Sequence, residues 1–323
     1  MKPFEYARAV SPAEAVRDFA PGTMYLGGGT NLVDLMRLGV AEPERLLDVS
    51  RLPLDIIEPV GDRVRVGATV RNTDLAADPL VRSRYPMLAR AVLTGASGQV
   101  RNVATVGGNL LQRTRCAYFQ DVTRPCNKRR PGSGCPAIAG DHGNLAVLGT
   151  SGSCVATHPS DMAVALAALE AEVHVTGPGG DRIIPIPGLH RLPGEEPERD
   201  TVLEPGDLIT AVELPPPPPG ASVYRKVRER ASFAFALVSI AAVLDVGSDG
   251  VVTGCRIALG GVAHAPWRAE RAERAIIGGP ATGEAFLQAA EAELEQAHPL
   301  PRNAFKVPLA RNLIVSTLEE LAP

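Results

Sequence analysis

The run Met24-Tyr25-Leu26-Gly27-Gly28-Gly29-Thr30-Asn31-Leu32-Val33-Asp34-Leu35-Met36-Arg37 reads as a short strand, a glycine turn and a helix that Gly39 closes. A turn of this kind exposes bare backbone N–H groups and a helix N-terminus, the arrangement that receives an anion, usually a phosphate. No Gly-Lys-Ser/Thr follows, so it is not a Walker loop. Nor does it match G-x-G-x-x-G with an acidic ribose-binding residue about 20 positions on. A second turn, Thr105-Val106-Gly107-Gly108-Asn109-Leu110, repeats the chemistry about 80 residues later. One such turn usually does no more than reverse the chain; two suit a pyrophosphate clamped from both sides.

Outward from these turns the chain divides into recognisable pieces. Ser11 to Ala20 predicts a short helix with Ser11 as N-cap, Pro12 at N1 and Glu14 at the capping-box position. Arg63 to Ala68 predicts a strand, and Thr73 opens a helix. Ser160-Asp161 begins the apolar helix Met162–Leu169, where an aspartate most simply serves as a cap. Strands follow around Val173–Val175 and Ile183–Pro187, then a polar excursion from Pro193 to Asp200, then the strand Leu208–Leu214. The unbroken prolines Pro215 to Pro219 read as a linker. Beyond them, strands at 222–228, 236–246 and 251–262 predict an antiparallel sheet, with helices near 267–277, 283–296 and 305–321 covering one face.

Four of the five cysteines, Cys116, Cys126, Cys135 and Cys154, fall within 39 residues, separated by 9, 8 and 18 others. Pro125, Pro131, Gly132, Gly134, Pro136 and Gly140 share the stretch, so it predicts a long irregular loop that something besides a hydrophobic core orders. Four thiolates around an iron–sulfur cluster would do so. A zinc site with four cysteine ligands usually draws on closely spaced pairs, which are absent. Two disulfides would suit an oxidising compartment. Buried thiols acting as small hydrophobes account for Cys255, which stands in the alternating run Val251–Ile257, better than for the loop cysteines. Arg113, Arg115, Arg124, Lys128, Arg129 and Arg130 surround the loop, with Asp121 the one acid between 113 and 135. A [4Fe–4S] centre on four thiolates is net negative, so nearby cations favour it and raise its potential. The same charges would also suit an exposed loop that binds a partner.

Bulk properties limit the options. A chain of 323 residues with 45% hydrophobic and 21% charged residues is ordinary for a globular protein of two or three structural units. A net charge of −3 and 4% aromatics argue against nucleic-acid binding. The start, Met1-Lys2-Pro3-Phe4, has no apolar signal region, and no run of about 18 apolar residues occurs, so no membrane insertion is expected. By its own sequence the chain is expected in the cytoplasm; a periplasmic location would need export with a partner that carries a twin-arginine signal.

Leu26-Gly27-Gly28-Gly29-Thr30-Asn31-Leu32, Thr105-Val106-Gly107-Gly108-Asn109, Pro159-Ser160-Asp161, Leu203-x-Pro-Gly-Asp-Leu-Ile209 and Tyr224-Arg225-Lys226 stand in the order found in one flavoprotein family. Over about residues 3 to 320 the chain resembles the medium, FAD-binding subunits of molybdenum hydroxylases: carbon monoxide dehydrogenase, xanthine dehydrogenase and bacterial aldehyde oxidoreductases. The cysteine stretch resembles the periplasmic-type aldehyde oxidoreductase branch, whose flavin subunit also carries a [4Fe–4S] cluster. Benzoyl-CoA-type reductases carry theirs in a longer inserted loop.

The resemblance implies an α+β chain. Residues 1–214 would form a two-part FAD-binding domain of the vanillyl-alcohol-oxidase (PCMH) type, with subdomains of about 1–55 and 56–214 and the iron–sulfur loop at 113–155. A linker at 215–220 and a smaller C-terminal domain at 221–323 would follow. Leu26, Gly27, Gly28, Gly29, Thr30, Asn31 and Leu32 would wrap the FAD pyrophosphate, and Thr105, Gly107, Gly108 and Asn109 would close over it. Ser160 and Asp161 would also bind the cofactor, Asp161 placed at a ribityl or ribose hydroxyl. Ile209 would lie against the flavin ring, with Lys226 at its polar edge. Cys116, Cys126, Cys135 and Cys154 would hold the cluster.

It also implies that no catalytic acid or base resides in this chain. Substrate oxidation would occur on a large molybdopterin subunit, and electrons would arrive through a small [2Fe–2S] subunit, in a heterotrimer or a dimer of trimers. Two other readings stay open: a stand-alone FAD-dependent oxidase, and an assembly module that holds zinc on the loop cysteines.

Overall fold

Alternation of buried and exposed residues organises the computed structural model, which describes residues 1–323, into three sheets. The first is parallel: β1 (Glu5–Arg8), β2 (Thr23–Leu26) and β3 (Arg45–Asp48), in the order β1-β3-β2. Parallel neighbours need crossovers, and helices Pro12–Arg17 and Leu32–Arg37 supply them. Ser11 caps the first helix, its Oγ accepting the Glu14 N–H at 3.2 Å. The Glu14 carboxylate reaches back one residue further than a capping box, to the Val10 N–H at 2.9 Å.

The second sheet joins β4 (Ile57–Val60), β5 (Arg63–Gly67), β6 (Glu172–Gly177), β7 (Gly180–Pro185) and β8 (Leu208–Leu214) in the order β4-β5-β8-β6-β7, every pair antiparallel. The sequence extends the β7 strand to Pro187, but the chain turns helical over Ile186–Leu189, with Pro187 in the first turn where its missing N–H costs nothing. The third sheet is antiparallel: β9 (Ala221–Val227), β10 (Val238–Val246), β11 (Val252–Gly260) and the two-residue β12 (Trp267–Arg268), in the order β12-β11-β10-β9. The helices read near 267–277, 283–296 and 305–321 occur at Glu270–Ile276, Gly283–Leu294 and Lys306–Leu321. The architecture is α+β, as expected.

Period-two alternation gives β10 two buried faces. Ile240, Ala242 and Leu244 pack with Phe286, Ile314 and Leu318 under the C-terminal helices. Ala241 and Val243 face the other way, into a core shared with Tyr224, Ala258 and the helix Asp161–Ala168. All eight residues of that helix are buried. Each large apolar side chain so enclosed contributes about 1.5–3 kcal/mol. The proline run therefore connects β8 to β9 across one continuous core, and the Tyr85 hydroxyl anchors it by donating to the Pro215 carbonyl at 2.6 Å.

The cysteine stretch is irregular apart from the short helix Ala117–Gln120. Side chains hold its backbone. The Cys126 N–H donates to Ser133 Oγ at 3.0 Å, and Asn127 Nδ2 donates to the Ser153 carbonyl at 2.9 Å. The Arg129 guanidinium donates to the carbonyls of Tyr118, Asp121 and Arg124.

Candidate cofactor site

The two glycine turns lie against each other. A Cβ on Gly28 would sit 2.1 Å from the Val103 carbonyl oxygen, so only glycine allows this approach. A Cβ on Gly27 would meet Thr105 Oγ1 at 3.0 Å. Gly29 turns the chain with φ +73°, and Thr30 follows half-buried. Thr105 caps the helix Val106–Leu110 by accepting the Gly108 N–H at 3.2 Å. Asn31 Oδ1 accepts the Arg113 N–H at 3.0 Å, joining the first turn to the start of the cysteine stretch. Leu26 and Leu32 pack toward the core that contains Cys116 and Cys154. Asn109 Oδ1 accepts from the Ser160 hydroxyl at 2.6 Å, and that hydroxyl caps the Asp161 helix through the Ala163 N–H at 3.0 Å.

Asp161 and Lys226, read from the sequence as separate cofactor contacts, form a buried ion pair. Lys226 Nζ lies 2.8 Å from Asp161 Oδ2, and the two side chains are 3% and 8% exposed. The fully buried Tyr224 hydroxyl donates to Asp161 Oδ1 at 2.5 Å, and burial raises that phenol far above its ordinary pKa. Lys226 Nζ also donates to the Thr94 carbonyl at 3.3 Å, which Arg228 shares at 3.2 Å. Tyr224 stands in the quoted Tyr224-Arg225-Lys226 motif without an assigned role; alternation along β9 puts it on the face of Lys226, and that was the available signal. Ile209 is buried on β8 opposite Val175, inside the main core.

Cys116, Cys126, Cys135 and Cys154 line one small cavity with Phe119 and Lys128, and none forms a disulfide. No three His, Cys, Asp or Glu side chains converge to the spacing of a single metal ion. Burial pushes the Cys116 and Cys135 thiols up, and Cys154 to about 11, against the pull of the Ala156 N–H and Lys128. Cys255 lies elsewhere, buried on β11.

Behind this cavity is a network that sequence spacing does not reveal. Lys128 donates to Asp200 Oδ1 and, at 2.7 Å, to the Pro197 carbonyl, while Arg113 Nε donates to Asp200 Oδ2 at 2.6 Å. Burial works against the Asp200 carboxylate, yet Arg113 and Lys128 hold its pKa well below the usual range. His158, His190 and His264 adjoin the network, and burial lowers all three, His264 to about 4.

A cleft of about 510 Å³ opens beside both groups. Ser160 and Asp161 line it from one side, Ser239, Gly260 and Gly261 from the third sheet, and Cys116 from the cysteine cavity.

The sequence pattern described as the FAD binding domain in molybdopterin dehydrogenase matches residues 2–217. That of the CO dehydrogenase flavoprotein C-terminal domain matches residues 222–321. The chain belongs to the molybdenum hydroxylase family, as an FAD-binding medium subunit. It is 50% identical to the aldehyde oxidoreductase FAD-binding subunit PaoB of Escherichia coli K12, over 99% of this chain and 98% of that one. It is 28% identical to the carbon monoxide dehydrogenase medium chain of Hydrogenophaga pseudoflava, over 92% of this chain and 88% of the other. A solved carbon monoxide dehydrogenase from Hydrogenophaga pseudoflava aligns with a TM-score of 0.77 at 28% identity, covering 99% of this chain and 97% of its own.

The medium subunit is thus part of an oxidoreductase of the aldehyde oxidoreductase and carbon monoxide dehydrogenase type, and it binds FAD. Its residues fit that cofactor. Asn31 Nδ2 is a buried donor with no partner beside the paired glycine turns, as a site for phosphate oxygens requires. No helix is long and apolar enough to cross a membrane.

Proposed function

We propose that the subunit transfers electrons between a partner's [2Fe–2S] clusters and an external acceptor, within a complex that also holds a molybdopterin subunit. In this reading the complex is a heterotrimer or a dimer of such trimers, and aldehyde or xanthine-type oxidation takes place on the large partner. Residues 1–214 form the FAD-binding domain and 221–323 the smaller C-terminal domain. Gly27 to Asn31 and Thr105 to Asn109 hold the pyrophosphate, with Asn31 Nδ2 as a donor. Asp161, fixed by Lys226 and Tyr224, orients the ribityl chain. When bound, FAD accepts electrons one at a time and passes them on singly or in pairs. The chain's own part is to bind, orient and enclose the ring.

The reading includes a [4Fe–4S] cluster on Cys116, Cys126, Cys135 and Cys154. Four unpaired thiols lining one cavity, with no closely spaced pair among them in the sequence, suit a polynuclear centre better than zinc. Such a centre supplies one-electron exchange. The observation that carries the reading is that Cys116 lines both the cysteine cavity and the cleft bounded by Ser160 and Asp161.

An anaerobic absorbance spectrum with iron and sulfide analysis tests it, wild type beside Cys126→Ser. Flavin bands, a broad shoulder near roughly 400 nm and about four irons, with iron lost in the variant, are expected. Flavin without iron removes the cluster; absence of both chromophores after reconstitution removes the whole reading. Copurification with two further chains separates it from a stand-alone oxidase.

A further inference from the structure

We propose that Lys128 and Asp200 form an opposed charge pair that sets the reduction potential of the iron–sulfur centre, Lys128 raising it and Asp200 moderating the rise. The inference rests on the cluster reading above and gives the pair a task that the reading does not require. Lys128 is the one basic residue of the stretch on the cavity wall, and its side chain is 1% exposed. Arg124 lies at the surface, 64% exposed, and Arg129 is engaged with backbone carbonyls. Asp200 reaches Lys128 from the polar excursion 72 residues away in sequence. It also binds Arg113, whose guanidinium covers the Phe119 ring at 4.8 Å from the centroid; Phe119 lines the same cavity.

Stability gives no reason for such an arrangement. Two charges taken out of water cost several kcal/mol each to desolvate, and apolar residues of like volume usually serve as well. A charge fixed beside a redox centre has a different effect. One added electron makes the cluster more negative by one unit; an adjacent ammonium stabilises that state and a carboxylate opposes it. Lys128 is enclosed, so its influence is screened little, whereas Asp200 is 28% exposed and acts more weakly. Two cations against one carboxylate leave the Lys128–Asp200–Arg113 group net positive on the cavity side.

The test is a potentiometric titration of the cluster, followed by electron paramagnetic resonance on the purified complex, with iron and sulfide counted in each sample. Lys128→Gln is expected to lower the midpoint, Asp200→Asn to raise it, and the double variant to return it close to wild type. A purely structural strut would move both single variants the same way or lose iron from both. Shifts of one sign, or no shift with iron intact, overturn the proposal. So does loss of iron from the double variant, which leaves neither partner of the pair charged. Wild type without iron instead defeats the cluster reading itself.

Discussion

Lys226→Met probes the buried pair that spans the two matched regions. The substitution removes an ammonium 2.8 Å from Asp161 and leaves a carboxylate that is 8% exposed facing a thioether. Deleting one partner of a buried pair costs about 3–5 kcal/mol. Two features hold the loss to the low end: Tyr224 still donates to Asp161, and Arg228 still satisfies the Thr94 carbonyl. About 3 kcal/mol is therefore expected, and for a chain this long roughly 2 °C per kcal/mol gives a melting point lower by about 6 °C. The assay is denaturant and thermal unfolding of FAD-stripped protein, so that lost cofactor does not count as lost stability. Asp161→Asn in the same chain removes the stranded charge and is expected to restore part of the deficit. A single variant within about 1 kcal/mol of wild type would refute the reasoning, because Asp161 would then be drawing its compensation from elsewhere.

Gly28→Ala places a methyl 2.1 Å from a backbone oxygen that has no rotamer to escape into, so separation of the glycine turns and near-complete loss of bound FAD are expected by flavin absorbance. His264 is buried with its folded pKa lowered to about 4, below the roughly 6.5 of an unfolded histidine. Its stabilising contribution is present above pH 6.5 and lost as pH falls through 4, at most roughly 3 kcal/mol, and His264→Gln should flatten the acid limb of an unfolding curve by that order. Lys306, buried and donating to the Gly261 carbonyl at 2.8 Å, has its pKa lowered to about 7 by desolvation. Because the unfolded chain holds that proton up to about pH 10.4, wild-type stability should rise from pH 7 toward 10, and Lys306→Met should abolish this part of the slope.

The elements legible in the sequence are those with local causes. Ser11, Pro12 and Gly39 bound helices through contacts within a few residues, and the alternation in 236–246 states both buried faces of β10. The glycine turns were readable because so few backbones can approach as Gly28 and Val103 do. The pairing of Asp161 with Lys226 was not, since 65 residues separate them and each alone reads as a cap or a surface cation. Asp200 gave still less warning: it ends a polar excursion that looks like solvent-exposed loop and instead neutralises a lysine beside the cysteines. Extension of β7 to Pro187 failed for a local reason, a proline that starts a helical turn as readily as it ends a strand.

The continuous core has a consequence for how the subunit is made. Its last segment closes the cysteine stretch: Asn303 donates to the Leu145 and Ala146 carbonyls, and the Arg302 N–H donates to His142 Nε2 at 3.0 Å. Tyr224 and Lys226, which complete the surroundings of Asp161, also emerge from the ribosome after both glycine turns. Synthesis at about 5–20 residues per second leaves the nascent N-terminal part waiting roughly 10–40 s with its apolar face bare and its cofactor pocket unfinished. Loading of flavin is therefore a post-translational event, and a truncated chain is a target for chaperones and proteases before it can bind the cofactor.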